Sequence, residues 1–223
     1  MGRSTVLTAG PVDIADRLEA PLLHRALRPA IAQVLHRWFG LAIDGAEHLP
    51  TRGPFIIAAN HHNYLDGVVL SVAVPAPISF LVMPRVWRAT PIHPLLHRHL
   101  GSIPISLERP DVGALRRALE ALAIGRVVGI FPEGPFSTRG RLELGLPGVA
   151  LLALRSGVPV VPAGILGTYE ALVQRRFYIP RLHPLRVRFG PPRCYTNGVA
   201  GTVREARQSV TTRVMADIAA LLS

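Results

Sequence analysis

Two adjacent histidines, His61 and His62, follow the apolar run Phe55 to Ala59, and Asp66 lies a few residues beyond them. Those residue types admit three arrangements: a catalytic base with an orienting carboxylate, part of a metal site, or polar loop residues without chemistry. An aspartate that accepts from one imidazole nitrogen fixes the tautomer and leaves the other nitrogen to remove a proton from a hydroxyl. On a regular helix the two side chains would stand about 140° apart, so His61 can meet Asp66 only from the turn before the helix. Such a pair is a serine-hydrolase triad lacking its serine, and no G-x-S-x-G occurs in the chain. The nucleophile is then the substrate's own hydroxyl, and the reaction class is transfer to an alcohol. A metal site would have to recruit His93, His97 or His99, of which His93 and His97 share a helical face. No H-E-x-x-H or cysteine cluster accompanies them.

The elements that must position this pair alternate along the chain. Phe55 to Ala59 reads as a buried strand ending at Asn60 and His61, followed by a helix from about Tyr64 to Val74. "ISFLVM" is a second strand, "HPLLHRHLG" a short basic segment, and "SIPISL" a third strand. Asp111 N-caps a helix to Ile124 that carries Leu115, Leu119 and Leu122 at helical spacing. The strand "RVVGIFPE", a loop to Gly145, a helix opened by Pro147 and closed by Gly157, and the strand "PVVPAGIL" come next. "LRVRFG" is a late strand, and Thr202 to Leu222 a C-terminal helix. This order predicts an α/β fold: one domain, a single mixed sheet with helices on both faces. No internal repeat or linker divides it, although residues 1–45 read as an N-terminal amphipathic segment ahead of a compact unit over residues 46–223.

Composition narrows the partners. The chain has 223 residues, 49% of them hydrophobic, with a mean hydropathy of +0.31, which suits a membrane-facing surface or a deep apolar pocket. No run reaches the roughly 20 apolar residues of a spanning helix, and the N-terminus lacks the apolar core of a signal peptide. Cys194 is alone, so no internal disulfide forms. All 25 Lys and Arg positions are arginine, against 14 acidic residues, for a net charge of +11. That field attracts polyanions. Few aromatics and no RNA- or DNA-binding motif accompany it, which argues against nucleic acid. Pro21 to Gly40 places Leu23, Leu27, Ile31, Val34, Leu35 and Trp38 on one helical arc, with Arg25, Arg28 and His36 off it. Arg25, Arg28 and Trp38 are the expected contacts of an interfacial helix with an anionic membrane surface; the alternative is an ordinary helix covering the core.

Three stretches in order, "EHLPTRGPFIIAANHHNYLDG", "GIFPEGPFSTRGRLELGLPG" and "GVPVVPAGILGT", together resemble the glycerophospholipid acyltransferase family, typified by 1-acylglycerol-3-phosphate acyltransferase. Its N-H-x4-D motif matches Asn60, His61 and Asp66; its F-P-E-G motif matches Phe131, Pro132, Glu133 and Gly134; its P-V-V-P element matches Pro159 to Pro162. The resemblance implies acyl transfer from acyl-CoA or acyl carrier protein to a hydroxyl of a lysolipid acceptor, with His61 as general base and Asp66 as its orienter. It requires no metal or organic cofactor. Asn60, Glu133, Gly134 and Ser137 are expected at the substrate, with Glu133 holding the acceptor or positioning its loop. A peripheral location on the cytoplasmic side of the membrane follows from amphiphilic substrates.

The departures bear on the acceptor. The family continues F-P-E-G with Thr-Arg-Ser, its arginine helping to hold the acceptor phosphate; here stand Pro135, Phe136 and Ser137. A family lysine before the later Pro-Gly is Leu146. Two further basic positions fall at Pro84 and Leu107, with Arg85 and Arg109 close by as substitutes, and Arg139 or Arg141 could serve from further along the loop. The base and its orienter are intact while the phosphate clamp is rearranged. A non-catalytic basic lipid-binding or membrane-docking protein that retains the fold is the alternative reading.

Overall fold

The run before His61 forms a strand, β2 (Ile56–Ala59), whose four residues are all buried. A strand covered on both faces has no polar side to show, so it reads as an unbroken apolar run. The computed structural model describes residues 22–88, 93–106, 111–137, 139–172, 180–195 and 202–223. In them β2 is joined by β1 (Ala42–Asp44), β3 (Ile78–Val82), β4 (Ile103–Pro104), β5 (Val127–Ile130), β6 (Val160–Leu166) and β7 (Arg186–Phe189). The helices are α1 (Leu22–Phe39), α2 (Tyr64–Ala73), α3 (Pro84–Trp87), α4 (His93–His99), α5 (Val112–Ala123), α6 (Gly148–Ser156), α7 (Thr168–Ala171) and α8 (Val203–Leu222).

The strands form one mixed sheet in the order β1-β7-β6-β2-β5-β3-β4. From β6 across to β4 the neighbours are parallel, β7 is antiparallel to β6, and β1 is parallel to β7. Alternate residues of β2 point to opposite faces. Ile57 and Ala59 pack in one core with Leu35 and Phe39 of α1 and Val69 and Leu70 of α2. Ile56 and Ala58 pack in another, with Ala118 of α5, Leu152 of α6 and Val214 of α8.

Chain order and sheet order part company around β2. It is followed by β3, yet its sheet neighbours are β5 and β6, so the chain leaves to one side and returns to both. In parallel sheets such a reversal opens a crevice beyond the carboxyl ends of the strands. The segments following β2, β5 and β6 meet there.

Local chemistry ends the elements where the residues require. Asn63 caps α2, Asp111 accepts from the backbone N–H of Ala114 at the start of α5, and Thr202 with Glu205 forms a capping box at α8. Gly157, at φ 67°, closes α6 in a left-handed conformation.

Several expectations need correction. "HPLLHRHLG" contains a helix, α4, and "SIPISL" contributes only the two residues of β4. Strand β1 gave no apolar signal because it is short and partly exposed, and it is held by pairing Ala42 with Arg186. The division at residue 45 runs through the packed body, since β1 belongs to the sheet and Leu35, Phe39 and Leu41 to the core. Residues 1–21 of the proposed N-terminal segment lie outside the described residues. On α1 the inward stripe is His24, Arg28, Ile31, Leu35 and Phe39, whereas Leu27, Val34 and Trp38 face outward. The apolar arc is wider than one contact surface, and the helix buries its flank.

Gly129 on β5 shows how tightly the sheet is filled beneath the crevice. A Cβ there would lie 2.5 Å from Phe80 Cδ1 and 2.7 Å from Ile78 Cγ2. Phe80 in turn stacks on Phe131, the aromatic residue at the crevice. Gly129→Ala is expected to destabilise the protein by about 1–3 kcal/mol, seen as a lower urea midpoint at unchanged slope.

Candidate active site

Asn60 extends the β2–β6 pairing with its side chain. Its Nδ2 donates to the Ile165 carbonyl at 2.8 Å, and its Oδ1 accepts from the Ile165 N–H at 2.7 Å. The residue is fully buried, and both ends of its amide, expected at the substrate, are engaged by Ile165, so it pins the turn to the sheet.

His61 follows in the turn, ahead of the first residue of α2. Its Nδ1 lies 2.9 Å from Asp66 Oδ2. An ionised carboxylate only accepts, so Nδ1 carries the hydrogen and Nε2 is the basic nitrogen. The same Oδ2 accepts from the backbone N–H groups of His62 at 2.6 Å and Asn63 at 2.8 Å. Asn63 Oδ1 accepts from the Leu65 N–H at 2.9 Å, completing a capping box. Asp66 therefore has two tasks: it closes the amino end of α2, where the helix dipole favours negative charge, and it aligns the imidazole.

The loop after β5 grips the same turn. Glu133 Oε1 accepts from the His61 N–H at 2.7 Å and Oε2 from the Glu143 N–H at 2.6 Å. The Ser137 N–H donates to the His61 carbonyl at 2.8 Å, and Ser137 Oγ to the Arg141 carbonyl at 2.6 Å. Gly134, at φ 79°, makes the turn that returns its N–H to the Phe131 carbonyl. Glu133 and Ser137 were expected at the substrate; both are buried and spent on protein groups, so they position the turn. Of Glu133's two expected roles, holding the loop is the one the contacts favour. Burial is the largest influence on the Glu133 carboxyl and pushes its pKa above the ordinary 4.5, opposed by the two backbone donors.

Aromatic rings enclose the imidazole. Phe131 stacks on His61 at 3.7 Å with an interplanar angle of 7°, and Phe136 meets it edge-on at 4.4 Å. Phe136 also packs edge-on against Tyr64 at 4.8 Å. His61 keeps 9% of its surface exposed. An imidazole with one nitrogen anchored, the other left to accept a proton, and apolar walls suits proton removal from a weak acid.

The remaining expected residues lie further out. Arg139 and Arg141 are exposed on the loop after Ser137. Arg85 is on α3, beyond the carboxyl end of β3, and Arg109 lies outside the described residues. Arg25 and Trp38 are exposed on α1, but the Arg28 guanidinium turns inward and donates to the Val72 carbonyl at 2.8 Å. Arg28 therefore joins α1 to α2 and is withdrawn from the membrane-contact set. His62 is buried edge-on to Tyr169, and burial holds its pKa below 6.5, opposed by Asp66 and Glu170. Thr168, whose carbonyl accepts from Asn63 Nδ2 at 2.7 Å, was missed in the sequence. No local signal marks a partner 105 residues away.

Residues 40–166 match the family model described as Acyltransferase. An uncharacterized protein of Mycobacterium tuberculosis is 30% identical over 166 residues, covering 65% of this chain and 42% of its own length. The 1-acyl-sn-glycerol-3-phosphate acyltransferase of Bacillus subtilis is 27% identical over 140 residues, covering 62% of this chain and 68% of its own. This chain thus spans less than half of the mycobacterial relative. The crystal structure of the 1-acyl-sn-glycerophosphate (LPA) acyltransferase PlsC from Thermotoga maritima matches with a TM-score of 0.67 at 24% identity, over 89% of this chain and 81% of that one. That likeness is one of fold.

The Glu133 clamp has a pH signature. Its folded-state pKa is raised, so the native state binds this proton more tightly than the unfolded chain does. The contribution to stability is present at low pH and lost as the pH rises through the raised value. Because glutamine does not titrate, the stability of wild type relative to Glu133→Gln is expected to fall as pH rises from below 4.5. Urea unfolding across pH checks this, and a flat difference refutes it.

Proposed function

Because the chain belongs to the acyltransferase family, we propose that it moves a fatty acyl group from an acyl thioester, acyl-CoA or acyl carrier protein, to a hydroxyl of a lysophospholipid or related glycerolipid. The observation that carries this reading is the 2.9 Å bond from His61 Nδ1 to Asp66 Oδ2, which commits one imidazole nitrogen and leaves the other basic. His61 Nε2 takes the proton of the acceptor hydroxyl as its oxygen attacks the thioester carbonyl carbon. The new C–O bond forms, the C–S bond breaks, and the proton passes from His61 to the departing thiolate. Asp66 stabilises the imidazolium between these steps. Every step moves a proton or an acyl group, so the scheme needs no metal and no bound organic cofactor.

The work is proposed to occur at the cytoplasmic surface of a membrane, with the protein bound peripherally. No helix among the described residues is long and apolar enough to cross a bilayer. Leu27, Val34 and Trp38 instead form an outward apolar stripe on α1, Trp38 being 65% exposed, with Arg25 and Arg37 also exposed on the helix. Such a helix buries its apolar side chains at the headgroup boundary while its arginines meet anionic lipid.

Two measurements test the proposal. His61→Ala is expected to lower acyl transfer from labelled acyl-CoA or acyl carrier protein to lysolipids by roughly 10²–10⁴-fold, with the thermal transition retained; undiminished transfer removes His61 as the base. Wild-type protein that binds lipid without forming acylated product favours the docking-protein alternative. Co-sedimentation with phosphatidylglycerol vesicles is expected at low salt, with weakening at high salt and in Trp38→Ala. No binding at low salt would refute the peripheral-membrane reading.

A further inference from the structure

Phe136 packs directly against the imidazole of His61. Its ring meets His61 edge-on at 4.4 Å and Tyr64 edge-on at 4.8 Å, and the residue is buried. The backbone on either side fixes it: the Glu133 carboxylate holds the His61 N–H, and the Ser137 N–H holds the His61 carbonyl. Phe136 is therefore a wall tied to the same turn as the base.

Among the described residues, the charged side chains hydrogen-bonded to the His61 turn are Asp66 and Glu133, both carboxylates. An acceptor hydroxyl within reach of Nε2 brings the substituent on its neighbouring carbon into the shell formed by Phe131, Phe136 and Tyr64. A phosphate there would give up hydration against aromatic carbon and face two carboxylates, a costly placement. An uncharged substituent, such as a second hydroxyl or a glycosidic oxygen, meets neither cost.

We propose that Phe136 is a specificity-determining residue that selects acceptors with no phosphate on the carbon beside the reacting hydroxyl, a monoacylglycerol or glycolipid class of alcohol. This rests on the acyltransferase reading and narrows its acceptor from lysophospholipid or related glycerolipid to the second of these. Arg139 and Arg141 are exposed on the loop that follows Phe136, placed to meet a more distant anionic group or the lipid surface.

The test compares two acceptors with the same acyl chain, a monoacylglycerol and 1-acylglycerol-3-phosphate, given to the full chain with acyl-CoA or acyl carrier protein as donor. Wild type is expected to show kcat/KM for monoacylglycerol about tenfold or more above that for the phosphate. Phe136→Ala is expected to narrow the ratio by removing the wall, and Phe136→Arg to reverse it by supplying a cation. Should Phe136→Arg fail to fold, the wild-type ratio and Phe136→Ala decide. A wild-type preference for the phosphate, or a ratio unmoved in Phe136→Ala, overturns the inference and leaves the acyltransferase reading standing. Transfer to neither acceptor from either donor overturns both.

Discussion

Three hydrogen bonds converge on one oxygen, Asp66 Oδ2: from His61 Nδ1, from the His62 N–H and from the Asn63 N–H. The last two are turn and helix-entry donors that would otherwise be buried without partners. The first sets the orientation and tautomer of the imidazole. Folding and chemistry thus share one acceptor, and the turn after β2 has a single geometry in which all three donors are satisfied. The fully buried Asp66 carboxylate finds its polar partners in those donors and lies at the amino end of α2, which favours negative charge.

Everything around that carboxylate restrains the same few backbone atoms. Asn60 pins the start of the turn to β6, Asn63 ties its end to the Thr168 carbonyl, and Glu133 and Ser137 hold the two backbone polar groups of His61 from the opposite side. Three segments at the carboxyl end of the parallel strands are laced together this way. A catalytic group needs such preorganisation, since small displacements of a base from its acceptor are expensive in rate. Side chains that read as substrate contacts in a motif become the scaffold that keeps one imidazole in place.

The aromatic column adds a second restraint with a different character. Phe80, Phe131 and His61 stack in succession, and Phe136 closes an edge. These contacts are apolar and shape-dependent, so they limit what approaches the ring without supplying charge. The protein as a whole is strongly basic, yet the immediate partners of the proposed base are carboxylates and hydrocarbon. Long-range field and local shell can serve different ends: the first gathers anionic surfaces or carriers, the second governs the atoms next to the reacting hydroxyl.

Some of this was legible in the residues themselves. The buried strand before His61, the cap at Asp111, the opening of α6 at Pro147 and the alternation that implies a helix-flanked sheet are local properties, written in periodicity and capping chemistry. That His61 must precede the helix to meet Asp66 follows from helical geometry alone. What sequence could not determine depends on contacts distant in the chain. Asn60 reads as a polar motif residue and proves to be a bracket for Ile165, and Arg28 reads as a headgroup contact and proves to bond Val72. Strand β1 exists because β7 pairs with it, and α1 buries a flank of its apolar arc because α2 and the sheet meet it there. Local pattern states what a residue can do, whereas the fold decides which of its hydrogen-bonding groups are already taken.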